Sequence, residues 1–329
     1  MRLIAVVISL LFIQSYVYAQ FSWNLSASTG IVSNKDTLGY TGSNNFAAAE
    51  GSLQFQQSDT MGIFGIGAKI RPEVRNADNT KLHSLKTKFS ISMLREKETL
   101  SLGIVGSGQR QVYNYEDISL DYSLYSAMTF LTYYIDEYAS FITEAAYSYQ
   151  SVQQQDTKLL FVSLGLQKNY SESFSTGLSL LAERFDCTVT NFIGRTERGT
   201  DLGIRLNFEY LKDFTVRGEL SYIFSSAEGT RFPEGRQCTR FMAGKIIAED
   251  YSLFMLADYT FMNLRNSGGH HFTYYSDDFE NNVYIKAAYE WMDNYSLFLK
   301  CGFSQIIFQN TNNSLQSWSI SLGCELADF

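Results

Sequence analysis

The chain has 329 residues, a formal charge of −8 and a sequence pI near 5.0, which excludes nucleic acid as a partner because that ligand demands a basic surface. It is 45% hydrophobic with a mean hydropathy of −0.14, and beyond residue 19 it has no run of 18 apolar residues, so no membrane-crossing helix is expected. All-β classes remain, and an aromatic content of 15% suits the girdles of a membrane barrel.

Residues 1–19 read as a signal peptide. Arg2 supplies the positive end, the run from Leu3 to Ile13 is apolar, and Val17 and Ala19 occupy the small-residue positions before a cut that would leave Gln20 first. The apolar run is shorter than the roughly 20 residues a helix needs to span a bilayer. Residues 20–329 contain no linker and no break in composition, so a single domain is expected.

Along that domain the hydrophobic period is two. In LGIRLNFEY, Leu202, Ile204, Leu206, Phe208 and Tyr210 alternate with Gly203, Arg205, Asn207 and Glu209. The next segment sets Val216, Leu220, Tyr222 and Phe224 against Arg217, Glu219 and Ser221. Successive strand side chains point to opposite faces, so each strand has one apolar and one charged face. Short polar clusters punctuate the pattern near Asp59, Lys97, Asp136, Glu172, Asp213, Asp250 and Asn294, recurring roughly every 40 residues. Each interval holds two strands of about 9 to 11 residues, a tight turn and a connection of about a dozen residues. Seven tight turns give eight hairpins, hence an all-β, antiparallel up-and-down transmembrane barrel of about 16 strands, with 14 as the alternative. The longer connections fall near 35–45, 72–82, 107–117, 150–157, 187–200, 225–237, 263–281 and 309–315, and Pro72 and Pro233 fall among them. A soluble sandwich would share the alternation but bury the apolar face. The signal peptide, the aromatics near the turns and the two lengths of connection favour the barrel.

This layout resembles bacterial outer-membrane β-barrel proteins, and its size and strand number resemble the porin-like ones. The resemblance implies the outer membrane of a Gram-negative-type bacterium, reached through the periplasm, with contacts to membrane lipid and lipopolysaccharide. It also implies recognition by the barrel assembly machinery through the C-terminal Phe329. The sequence departs from the class at that point. Apolar residues should alternate back from Phe329, yet Trp318, Ile320, Leu322, Cys324 and Leu326 are out of phase by one, which a bulge near Asp328 would correct.

The polar face predicts a water-facing set of both signs: Lys69, Arg71, Lys86, Lys88, Glu144, Glu183, Arg205, Glu209, Arg217, Glu219, Lys245, Lys286, Glu290 and Lys300. A turn at Lys212–Asp213 would place Arg205 beside Glu219 and Glu209 beside Arg217. Such residues either set the selectivity of a pore or satisfy one another in a salt-bridged interior. Cys301 and Cys324 lie on the apolar face of the last hairpin, equally far from Asn312–Asn313. They are either two small lipid-facing residues or a cross-strand disulfide. Cys187 and Cys238, at the outer ends of strands 9 and 12, are a second, more distant pair.

His270 and His271 with Asp277, Asp278 and Glu280 offer metal-ligand chemistry, but adjacent residues of a strand point apart and a polar loop explains them. His83 has only Ser84 beside it, on the opposite face, so nucleophile and base would not meet. No enzyme activity, cofactor or metal is expected. The expected function is a porin-like channel for passive diffusion of small hydrophilic solutes. The alternative is a non-conducting barrel acting as receptor, adhesin or assembly partner through its extracellular loops.

Overall fold

A computed structural model describes residues 18–36, 41–59, 62–77, 80–114, 121–152, 155–189, 195–225, 233–248, 250–264, 280–292, 294–307 and 314–328. Sixteen strands occupy them: β1 (Tyr18–Asp36), β2 (Thr41–Asp59), β3 (Gly62–Ala77), β4 (Thr80–Lys97), β5 (Leu100–Asn114), β6 (Tyr122–Tyr134), β7 (Ala139–Val152) and β8 (Gln155–Ser171), then β9 (Phe174–Val189), β10 (Arg195–Leu211), β11 (Thr215–Ser225), β12 (Pro233–Ala248), β13 (Tyr251–Leu264), β14 (Glu280–Met292), β15 (Tyr295–Ile307) and β16 (Ser314–Asp328). Every strand pairs antiparallel with its sequence neighbours, and β1 closes on β16 from Trp23↔Asp328 to Asp36↔Leu315. Closure pairs the first strand with the last, so along the barrel wall the strand N–H and C=O groups bond within the sheet, as a structure surrounded by hydrocarbon requires.

The two faces are chemically opposite. On β10, Leu202 is 61% exposed and Leu206 48%, whereas Asp201 is fully buried. The exposed apolar set continues round the barrel through Phe21, Leu25, Ile31, Leu53, Phe89, Ile91, Leu164, Leu180, Ile285, Leu299 and Ile320. A soluble sandwich would bury these residues between sheets, so this exterior fits lipid. The chain has the architecture of a transmembrane β-barrel.

Local chemistry sets the tight turns. The Asp136 carboxylate accepts the N–H groups of Tyr138 and Ala139 at 2.7 Å each, closing the turn between β6 and β7. Ser171 accepts from the Ser173 N–H at 3.3 Å in the β8–β9 turn. Asn294, before β15, has φ 71°, which Asn tolerates better than other side-chain-bearing residues. Aromatic pairs flank this end of the barrel: Tyr170–Phe174 at 5.6 Å, Tyr210–Phe214 at 4.7 Å and Tyr251–Tyr289 at 4.8 Å, with Lys168 Nζ 5.2 Å from the Tyr170 ring centre. Rings gathered beside the tight turns, Tyr170, Phe174, Phe214 and Tyr251 among them exposed, suit a membrane–water boundary.

Several expectations need correction. Strands run 11 to 19 residues, longer than the hydrocarbon alone requires, so they consume much of the sequence assigned to connections. β3 thus includes Pro72, which lies opposite Leu85 on the exposed face. The β2–β3 ladder skips from Ala48↔Glu73 to Gly51↔Ile70 at that point without a change of register, as expected where one donor is missing. The bulge proposed near Asp328 is absent: the β1–β16 register is continuous through Asp328, and Phe329 lies outside the described residues.

Candidate lumen surface

The inward face of the barrel carries paired acids and bases, and strand phase decides which residues face it. On β10 and β11, Glu209 lies directly opposite Arg217, and Arg217 Nε donates to the Glu209 carboxylate. Arg205 lies opposite Ser221, with Glu219 one inward step away opposite Asn207. The true pairing sum of 426 excludes the expected Arg205–Glu219 pair. Arg205 instead reaches across two strands to Glu144 on β7, and donates to Ser163 Oγ on β8 at 3.0 Å.

The most buried cluster lies between β9, β10 and β12. Arg236 is 2% exposed; its guanidinium donates to the Glu183 carboxylate and, at 3.3 Å, to Asp201. Leu181, Phe185, Cys187 and Ile223 are buried on the same inward faces. Both carboxylates accept from the same guanidinium nitrogen, Nη2, so one always-charged arginine faces two buried acids. Below this cluster, toward the tight turns, a cavity of about 490 Å³ is lined by Asn207, Glu209, Arg217, Glu219, Arg240 and Asp258 among others. Arg240 and Asp258 lie directly opposite each other, 3.4 Å apart.

The other wall is rich in cations. Lys69 pairs with Glu50 at 2.7 Å and Arg71 with Glu73 at 3.3 Å. Lys88 lies opposite Lys69, and Lys86 opposite Arg71. Lys286 contacts Glu325 at 2.5 Å, and Asn24 donates to the same carboxylate at 2.5 Å. Lys300 lies opposite Lys286, its Nζ 3.8 Å from the Tyr284 ring centre. Arg71, Lys69, Glu50 and Lys286 are all within electrostatic reach of Lys300, so β3 and β15 share one field across four strand spacings. Glu290 is exposed near the β14–β15 turn, opposite Ser296.

Lys245 is the exception among the predicted inward residues. It lies opposite Leu253, which is exposed on the outer face. The reason is local: in FMAGKIIA both faces of β12 carry apolar residues, so alternation leaves the phase undetermined. Glu50, Glu73, Asp201, Arg236, Arg240, Asp258 and Glu325 join these networks without having been anticipated. Glu325 had a visible signal, since it alternates with Cys324 and Leu326. Asp201 and Arg236 fell at or inside segments read as connections.

The four cysteines are free. Cys324 lies opposite Leu297, and Cys301 opposite Ile320, so the expected Cys301–Cys324 neighbours are four residues out of register. That offset is about 13 Å along a strand, too far for a disulfide. The connection after Ile307 is centred two residues before Asn312–Asn313, which explains the misjudged register. Thr157 donates to Cys187 Sγ at 3.6 Å and Thr260 to Cys238 Sγ at 3.7 Å. His83 is exposed on β4 opposite Val74 and Asn114. No cluster of three or more His, Cys, Asp or Glu able to hold a metal occurs among the described residues; His270 and His271 lie outside them.

No family model matches the sequence, and no curated protein matches it. Among solved structures, the chain is similar to Pseudomonas aeruginosa OpdQ, with 10% identity, coverage of 94% of this chain and 98% of that one, and a TM-score of 0.46. It is similar to the P. putida toluene transporter TodX, with 10% identity, coverage of 94% and 89%, and a TM-score of 0.42. It is also similar to Acinetobacter baumannii OccAB4, with 9% identity, coverage of 94% and 98%, and a TM-score of 0.42. The strand topology stands on this chain's own registers.

Proposed function

We propose that the protein is an outer-membrane channel for passive diffusion of small hydrophilic solutes. The observation that carries this reading is the opposition of faces in a closed barrel of 16 strands: exposed Leu, Ile and Phe outside, ionised and hydroxyl side chains inside. A closure of about that size leaves room for water along the axis. Lys69, Arg71, Lys86, Lys88, Glu144, Glu183, Arg205, Glu209, Arg217, Glu219, Lys286, Glu290 and Lys300 would line the water path, giving passing ions a cationic and a mixed wall. On this reading residues 1–19 are removed during export through the periplasm. The exterior meets lipid and lipopolysaccharide, and Phe329 serves recognition by the assembly machinery.

Planar-bilayer recording of the refolded protein tests the proposal. Stepwise conductance that scales with salt is expected; its absence in every electrolyte would sink it. One observation favours a second reading, a barrel that does not conduct: Arg236, Glu183, Asp201, Phe185 and Leu181 pack into a buried inward layer. If that layer extends across the axis, Arg236→Ala would restore current to a silent protein.

A further inference from the structure

We infer that the lumen holds a seat for a small tetrahedral oxyanion on the inner faces of β2, β3 and β4, centred on Lys88. This rests on the channel reading only in needing a lumen open to water.

The first ground is a pattern of like charges. Lys69 faces Lys88, Arg71 faces Lys86, and Lys286 faces Lys300, each pair directly across a ladder. Directly opposed like charges destabilise a sheet. The same barrel places Glu opposite Arg where mutual neutralisation suffices, at Glu209 and Arg217. The cationic rungs are therefore expected to have an anionic counterpart, and the wall supplies carboxylates unevenly. Glu50 engages Lys69, Glu73 engages Arg71 and Glu325 engages Lys286, while Lys88 makes no ion pair among the described residues.

The second ground is a built groove beside that lysine. A cavity of about 260 Å³ is lined by Ser52, Gln54, Gly65, Gly67, Lys69, Lys88, Ser90 and Ser92 together with the intervening Leu53, Ile66 and Ala68, with no carboxylate in its lining. The residues fall on consecutive inward rungs: Ser52, Lys69 and Lys88; then Gln54, Gly67 and Ser90; then Gly65 and Ser92. A Cβ on Gly65 would come within 2.7 Å of Ser92 Oγ, and one on Gly67 within 2.7 Å of Ser90 Oγ, so the glycines keep the space beside these hydroxyls open. The hydroxyls of Ser52, Ser90 and Ser92 make no hydrogen bond among the described residues. The free ammonium of Lys88, the neighbouring Lys69 ammonium shared with Glu50, and the hydroxyl and amide donors on the adjoining rung match the acceptor lone pairs of phosphate or sulfate, and charge-assisted bonds of this kind are the strong ones.

Inorganic phosphate is the probe, with binding measured by calorimetry on the detergent-solubilised protein at low ionic strength. Saturable binding is expected, weakened about tenfold by Lys88→Gln, largely kept by Lys88→Arg, and unchanged by Lys245→Gln on the outer face. Ser90→Ala with Ser92→Ala, which keeps the charges, should also weaken it. Equal loss in the Lys88→Gln and Lys245→Gln proteins, or no saturable binding by the natural protein, would overturn the seat. Bilayer recording separates the two readings. Current that phosphate does not retard, in a protein that fails to bind it, removes the seat and leaves the channel. Saturable, Lys88-dependent binding in a protein without current upholds the seat and removes the channel.

Discussion

Arg236 is the residue on which the interior network most depends. It is held between Glu183 and Asp201 in a layer that water scarcely reaches. Arg236→Ala would leave two carboxylates buried without their cation, and breaking a buried pair in this way costs about 3 to 5 kcal/mol. Denaturant unfolding in lipid vesicles should show that loss. Arg217→Ala should cost far less, because its partner Glu209 is partly exposed and such pairs contribute about 0 to 1 kcal/mol. Sequence alone could not rank these two arginines. Both have acids nearby in the sequence, but the partners of Arg236 come from β9 and β10, and no local pattern reports a contact across three strands. Glu209 and Arg217 were legible because one turn joins their strands and fixes the pairing sum.

At the scale of the element, phase is everything. Strands such as β10, with apolar and charged residues in strict alternation, declared their faces; β12, with Phe241 and Met242 adjacent, did not, and Lys245 was misplaced with it. Turn chemistry was equally legible, as the Asp136 turn shows, whereas strand ends were not, because a strand extends past the membrane as long as its partner does. Two substitutions test the assignments. Leu206→Arg, on the outer face of β10, should destabilise the barrel by about 2 to 4 kcal/mol in vesicles, as a cation near mid-bilayer does. Asn207→Arg, one residue on and facing Glu219, should cost little by the same unfolding measurement. The register of β15 on β16 is checked chemically. In a protein with its other cysteines replaced by serine, Leu297→Cys should form a disulfide with Cys324, seen as a shift on a non-reducing gel. The natural Cys301 with Cys324 should form none.

For the whole molecule, closure, strand number and the sense of the two faces followed from the sequence because a membrane barrel repeats one simple unit, the hairpin, eight times. What the repeat cannot encode is the division of the interior. Cations gather on β3, β4, β14 and β15, while β7 to β13 carry paired acids and arginines, a distribution set by bringing distant strands around a circle. The same circle has one joint unlike the rest. Fifteen of its ladders link consecutive strands, so they form between chain neighbours, but β1 meets β16 across nearly the full length of the polypeptide. Until β16 arrives, β1 and the most recently added strand both present bare hydrogen-bonding margins. Folding must therefore shelter two sticky rims for as long as the C-terminus is delayed, and a chain cut before Ser314 would never lose them. Such a fragment is primed to zip onto another copy or to precipitate, which makes the last 15-residue strand the latch of the vessel.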